Sequence, residues 1–145
     1  MTTSAEIAAT LTRLAARVHI PVAALPDFRP NGEARPFLVL EVDGTLHWRV
    51  DEAGRTLSDL ATHDLDELLY WALRGVTFTA AADWEPAHRV PGQDSRRLRW
   101  AHQHELLARL DPRWAGRWRT ELADELRAAG ATADLALLPP ERVGD

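Results

Sequence analysis

The chain has 145 residues and 46% apolar content, enough for a single domain to bury a core without covalent staples. It contains no cysteine, which excludes disulfides, thiolate metal sites and cysteine nucleophiles and suits a reducing compartment. The net charge is −5 and all 17 basic residues are arginine, a bias that GC-rich coding explains as readily as anion recognition does.

The N-terminal segment, residues 3 to 18, carries Ile7, Leu11, Leu14 and Val18 at spacings of three and four, which predicts an amphipathic helix starting near Thr3 or Ser4. Arg13 and Arg17 interrupt its apolar content, so it resembles neither a signal peptide nor a membrane span, and a cytoplasmic location is expected. Residues 20 to 36 hold four of the nine prolines and the Asn31-Gly32 pair, and predict an irregular connector.

A hairpin follows. Leu38, Leu40 and Val42 alternate with Phe37, Val39 and Glu41, and Leu46, Trp48 and Val50 alternate with His47, Arg49 and Asp51. Asp43-Gly44 marks the turn between them, and Ala53-Gly54 turns the chain into a shorter third strand ending near Leu60.

The second helix begins at Asp64, with Glu67 three residues on as in a capping box. Leu65, Leu68, Leu69, Ala72, Val76 and Ala80 give one apolar face, and Trp71, Arg74 and Phe78 give a second, so the helix is expected to be central and packed on both sides until Pro86 ends it. A third helix runs from about Asp94 to Leu110. A fourth starts at Asp111-Pro112, carries Trp114, Trp118, Leu122 and Leu126 on one stripe, and stops at Gly130. The expected architecture is therefore α+β: one domain over residues 1–130, a small antiparallel three-stranded meander packed against about four helices, followed by a loose tail over residues 131–145.

Charge is distributed unevenly. Residues 41 to 67 hold eight acids and two arginines, a net of −6, whereas residues 86 to 119 hold eight arginines and three acids, a net of +5. Asp51, Glu52, Asp59, Asp64 and Asp66 fall at turns, strand ends and a helix start, where solvated acids can steer a basic partner.

Arg74, His88, Arg89, Gln93, Asp94, Arg96 and Arg97 gather around one helix-loop-helix corner. Two readings stand. The corner can be architectural, with Asp94 capping the third helix and pairing inside the fold with at least one of Arg74, Arg89, Arg96 or Arg97. Alternatively, Arg89, Arg96 and Arg97 can converge on a small ligand or a nucleotide phosphate, since arginine forks and a helix start both suit anions. A hydrolase would require His88 to face an acid such as Glu85 or Asp94.

Other catalytic patterns are missing. Ser4, Ser58 and Ser95 lie in no nucleophile elbow, and the eight glycines form no phosphate-cradling loop. His102 and His104 are two apart, about 200° around a helix, so they cannot share an ion, and neither metal nor cofactor is expected. Most of the six tryptophans fall on apolar faces; Trp84 and Trp100 flank the polar corner and are the two expected to touch a partner.

The segments DLDELLYW (Asp64–Trp71), VTF (Val76–Phe78), HR (His88, Arg89), QDSRRL (Gln93–Leu98) and QHELLARL (Gln103–Leu110), in this order and spacing, resemble the immunity protein 63 family. The likeness covers about residues 36 to 120. Trp84 stands where the resemblance implies tyrosine, and Pro86 where it implies leucine. The resemblance implies a small bacterial cytoplasmic protein that binds and silences the toxin domain of a polymorphic toxin system. Such a toxin inhibitor is not an enzyme, has no cofactor, and takes a protein partner rather than a membrane or nucleic acid.

Overall fold

The computed structural model describes residues 2–141; Met1 and residues 142–145 lie outside the description. The fold class is α+β, and the chain divides into two compact units, Met1–Val76 and Thr77–Asp145, with the division falling inside a helix.

The first unit opens with α1 (Ser4–Arg17), capped by Thr3, whose hydroxyl accepts the Glu6 amide at 3.1 Å. Its stripe of Ile7, Leu11, Leu14 and Ala15 is buried. The helix stops in a Schellman turn, with the Ile20 amide on the Ala15 carbonyl at 3.0 Å and His19 at φ +58 in the position glycine usually fills.

Three antiparallel strands follow in the order β1 (Glu33–Leu40), β2 (Leu46–Glu52), β3 (Arg55–Thr62). β1 begins earlier than the alternation predicts, because Asn31 accepts the Glu33 amide at 2.9 Å and donates to the Arg35 carbonyl at 3.1 Å. Pro36 is tolerated because β1 is an edge strand and needs no amide there. The β1–β2 connection is longer than a two-residue Asp43-Gly44 turn. The Glu41 amide reaches the Thr45 carbonyl at 2.9 Å and the Gly44 amide reaches the Glu41 carbonyl at 3.0 Å, so Val42 sits at the loop tip, 98% exposed, instead of on a strand face.

Between β2 and β3, Ala53 at φ +49 and Gly54 at φ +80 form a tight turn with both central residues left-handed, as in type I′. β3 pairs with β2 through a bulge: Val50 faces Ser58 and Asp51 faces Thr56, leaving Leu57 as the extra residue, 53% exposed.

α2 (Leu65–Trp84) begins at Asp64, whose carboxylate accepts the Asp66 amide at 3.0 Å. In its first half Leu68, Leu69, Tyr70, Ala72, Leu73 and Val76 are buried. The expectation of two packed faces along its whole length is corrected in the second half, where Phe78 is 54% exposed.

In the second unit, a 3₁₀ turn (Glu85–His88) replaces the expected loop, Pro86 being acceptable at its start. α3 (Ser95–Leu110) and α4 (Pro112–Ala128) then pack against each other, burying Trp100, Leu106, Leu107, Trp114 and Trp118. Gln103 Nε2 donates to the Thr77 hydroxyl at 3.3 Å inside this core, linking two buried polar side chains. Gly130, at φ +73, ends α4 in a second Schellman turn.

The segment after Ala131, expected as a loose tail, carries local structure as far as it is described. Thr132–Leu137 forms a 3₁₀ helix, Leu138 is buried, and Arg119 Nε donates to the Pro139 carbonyl at 2.7 Å. The rest of the expected tail, residues 142–145, lies outside the described residues.

Candidate functional site

Of the seven residues proposed for the polar corner, Arg74 lies on α2 in the first unit, half-buried, and the other six belong to the second unit. Asp94 is the α3 cap: its Oδ1 accepts the Arg96 amide at 2.9 Å. The Arg96 side chain folds back on the same carboxylate, with Nε to Oδ1 at 3.1 Å and Nη2 to Oδ2 at 2.8 Å. Arg96 is thus the partner among the four arginines, but the pair is not enclosed: the two side chains are 35% and 39% exposed.

The same local device recurs one helix later, where Asp111 caps α4 through the Arg113 amide and holds the Arg113 guanidinium at 3.2 and 2.7 Å. An aspartate cap followed two residues on by arginine satisfies an exposed amide and closes a bidentate ion pair with one carboxylate. The two hydrogen bonds from Arg96, side chain first and amide second, lower the Asp94 pKa to about 2.

Arg96 also reaches Asp134 with Nη1 to Oδ2 at 2.9 Å, and its Cζ lies 5.7 Å from the centre of the Trp100 ring. Trp100 is only 7% exposed, so it is a core residue and is removed from the expected contact surface. Arg89 pairs in a bidentate manner with Glu85, both bonds at 2.9 Å, and Glu85 is itself only 3% exposed. Hydrogen bonding to Arg89 holds the Glu85 carboxyl below its ordinary pKa despite burial. Gln93 is half-buried and Arg97 is exposed.

His88 faces neither acid. Its Nδ1 donates to the Trp84 carbonyl at 2.9 Å, and its ring stacks on the Trp84 indole at 4.0 Å. His102 stacks on Trp84 at 3.9 Å, so the indole is held between two imidazoles. Burial first, and then the charges of His88 and Arg109, push the His102 pKa down from its usual value. The i, i+4 spacing of Trp84 and His88 on helical backbone was a legible signal for the first contact. The second joins residues 18 apart and had none.

On the sheet, a polar group missed from the sequence centres on His47, which is 9% exposed. His47 Nδ1 lies 2.8 Å from Asp59 Oδ1, its Nε2 lies 3.1 Å from Glu41 Oε1, and Arg49 Nη2 donates to Asp59 Oδ2 at 3.1 Å. Alternation placed His47 and Arg49 on one face, and the pairing of Arg49 with Asp59 across β2 and β3 completes the group. The hydrogen bond from His47, followed by that from Arg49, lowers the Asp59 pKa.

The five acids expected on a contact surface therefore separate. Asp59 is committed to His47 and Arg49, and Asp64 caps α2. Asp51 is half-buried, its Oδ1 is enclosed, and it lines a hollow of about 430 Å³ with Arg49, Phe28 and Phe37. Glu52 and Asp66 are exposed.

Among the described residues, no group of three or more histidines and acids is placed to hold a metal ion. No described helix is long and apolar enough to cross a membrane. Compared with known proteins, residues 43–124 match the family model described as immunity protein 63. No curated protein and no solved structure matches the chain.

Proposed function

The chain belongs to the immunity protein 63 family, whose model covers more than half of its residues, and from that premise we propose that it binds the cognate toxin domain of a bacterial polymorphic toxin system and silences it as a stoichiometric inhibitor. The match over residues 43–124 carries this reading. The role places the protein in the cytoplasm of the cell it protects, where the toxin is made.

The chemistry of the polar corner is in keeping with a binder that performs no reaction. Its arginine forks face carboxylates of the same chain: Arg89 is held by Glu85, and Arg96 by Asp94 and Asp134. His88 is oriented by a backbone carbonyl and a ring, not by an acid that would make it a general base. An anion site built on Arg89, Arg96 and Arg97 would have to displace the two bidentate pairs first.

The acids of residues 41–67 supply the attraction for a basic toxin domain. Glu52 and Asp66, like Asp43 in the β1–β2 loop, are exposed with no helix-capping role and no ion pair among the described residues, so they contribute to encounter without a structural cost. The test is co-expression with the toxin domain encoded beside this protein, read as growth. The intact protein restores growth. Unrelieved toxicity in cells that accumulate the folded protein would remove the assignment for that pair.

A further inference from the structure

A hollow of about 570 Å³ lies in the first unit, where the start of α1, the β1–β2 loop and the start of α2 come together. Leu40, Val42, Leu46 and Leu65 give it a largely apolar lining, and Thr3, Glu41 and His63 are among the polar residues of its wall. Val42 is the unusual member. It is a β-branched apolar residue, 98% exposed, displayed at the tip of a loop held by its own hydrogen bonds. Thr45 adds to that hold, its amide donating to Asp43 Oδ1 at 2.9 Å.

A single exposed valine is ordinary on a protein surface. An exposed valine continuous with an apolar hollow and fixed by its loop is different, because a partner can cover it at little ordering cost. The rim is acidic. Glu41 and Asp43 flank Val42, and Asp64 stands between the lining residues His63 and Leu65. Both helix starts at the hollow are capped by their own side chains, Thr3 and Asp64, so the acids dominate the charge there.

We infer that this hollow, with Val42 at its edge, is the docking point for a lysine- or arginine-bearing segment of the toxin domain. Such a side chain lays its aliphatic stem on Leu40, Val42, Leu46 and Leu65 and carries its cation to Asp43, which has no ion pair among the described residues. Asp64, as the α2 cap, and Glu41, beside His47, add to the negative field. Hydrogen bonds from Thr45 hold the Asp43 carboxyl below its ordinary pKa, which keeps that acid charged well below neutral pH. The inference rests on the immunity reading and assigns its contact point.

The experiment measures the dissociation constant between the purified toxin domain and three forms of the protein: wild type, Val42→Lys and Val90→Lys. Val42 and Val90 are both exposed, so both variants retain the fold, which circular dichroism checks. Val42→Lys weakens binding by at least about thirtyfold, the size of effect expected for one buried anchor. Val90→Lys, in the second unit, stays within about threefold of wild type, as peripheral contacts do. Equal affinity for wild type and Val42→Lys overturns the docking point and leaves the immunity reading standing. Wild-type protein that does not bind at all removes both. Self-association of the free protein that Val42→Lys abolishes, seen by sedimentation, assigns the hollow to a second copy of the chain and overturns the toxin contact.

Discussion

Asp94 and Asp134 are bonded to one guanidinium, that of Arg96, with Nη2 at 2.8 Å from Asp94 Oδ2 and Nη1 at 2.9 Å from Asp134 Oδ2. The first acid begins α3 and the second lies in the 3₁₀ helix after α4, 38 positions beyond Arg96. One side chain therefore secures both the helix cap and the C-terminal segment. Arg96→Met leaves two carboxylates facing each other without a cation, whereas Asp134→Asn removes only one bond partner. The expected order of melting temperatures is wild type, then Asp134→Asn, then Arg96→Met. Limited proteolysis in the Asp134→Asn protein should open first between residues 131 and 141. A cleavage pattern unchanged from wild type would show that Leu138 and Arg119 alone hold the segment.

Acid should release this same arrangement. The Asp94 pKa is depressed from an ordinary 3.8 to about 2. A carboxylate with a lowered folded-state value stabilises the fold above its unfolded value and loses that contribution as pH falls toward the folded value. The Asp94 contribution is thus complete above about pH 4, the ordinary carboxylate value, and fades toward pH 2. Following the Asp94 carboxyl carbon by NMR titration checks it, and a midpoint near the ordinary aspartate value would contradict the bidentate pair.

The indole held between His88 and His102 gives a second pH response of a different origin. The His102 pKa is lowered chiefly by burial, so the folded state binds its proton less readily than the unfolded chain does. Stability therefore falls as pH drops from the ordinary histidine value of about 6.5 toward the folded value and then levels. His102→Gln should flatten the stability profile in that window. The wild-type slope persisting in the variant would assign it to another group.

Ala53 carries a backbone strain that can be relieved. It is left-handed at φ +49 in a turn whose favoured sequence is Asn-Gly, and Gly54 already follows it. Ala53→Asn keeps the amide that donates to the Gly32 carbonyl at 3.2 Å. The substitution should stabilise the protein by less than about 1 kcal/mol, because Asn tolerates the left-handed region better than Ala without escaping its cost. Chemical denaturation measures it, and a destabilised variant would mean that the turn is held open for another reason.

What the sequence made legible was local. Thr3, Asp64, Asp94 and Asp111 were readable as helix starts and Gly130 as a stop because each signal and its partner lie within a few residues. The family likeness was legible for the same reason, being carried by short segments in fixed order. Pairings between distant residues left no such trace. Asp134 gave no sign of reaching Arg96, so the segment that contains it looked loose, and nothing distinguished the buried Trp100 from the half-buried Trp84. Val42 was misassigned to a strand because alternation continues through it, whereas the hydrogen bonds of Glu41 and Gly44 place it at a loop tip. The candidate contact acids were separated only by their partners: Asp59 and Asp64 are used internally, and Glu52 and Asp66 are not paired among the described residues.

That separation predicts where charge acts in association. Replacing Glu52 and Asp66 together with lysine should slow association with a basic toxin domain roughly tenfold at low salt, with little change in dissociation. The salt dependence of the association rate should weaken in parallel. Stopped-flow measurements at several ionic strengths decide this. An effect confined to dissociation would move these residues from encounter to the bound interface.

The most direct test of the central claim is a titration of purified toxin domain with this protein, reading the toxin's activity. Stoichiometric inhibition predicts that activity falls linearly to a floor at one equivalent and that the two proteins then co-elute as a single complex. Full activity at excess protein, or complete loss of activity at a small fraction of an equivalent with no complex, would contradict it.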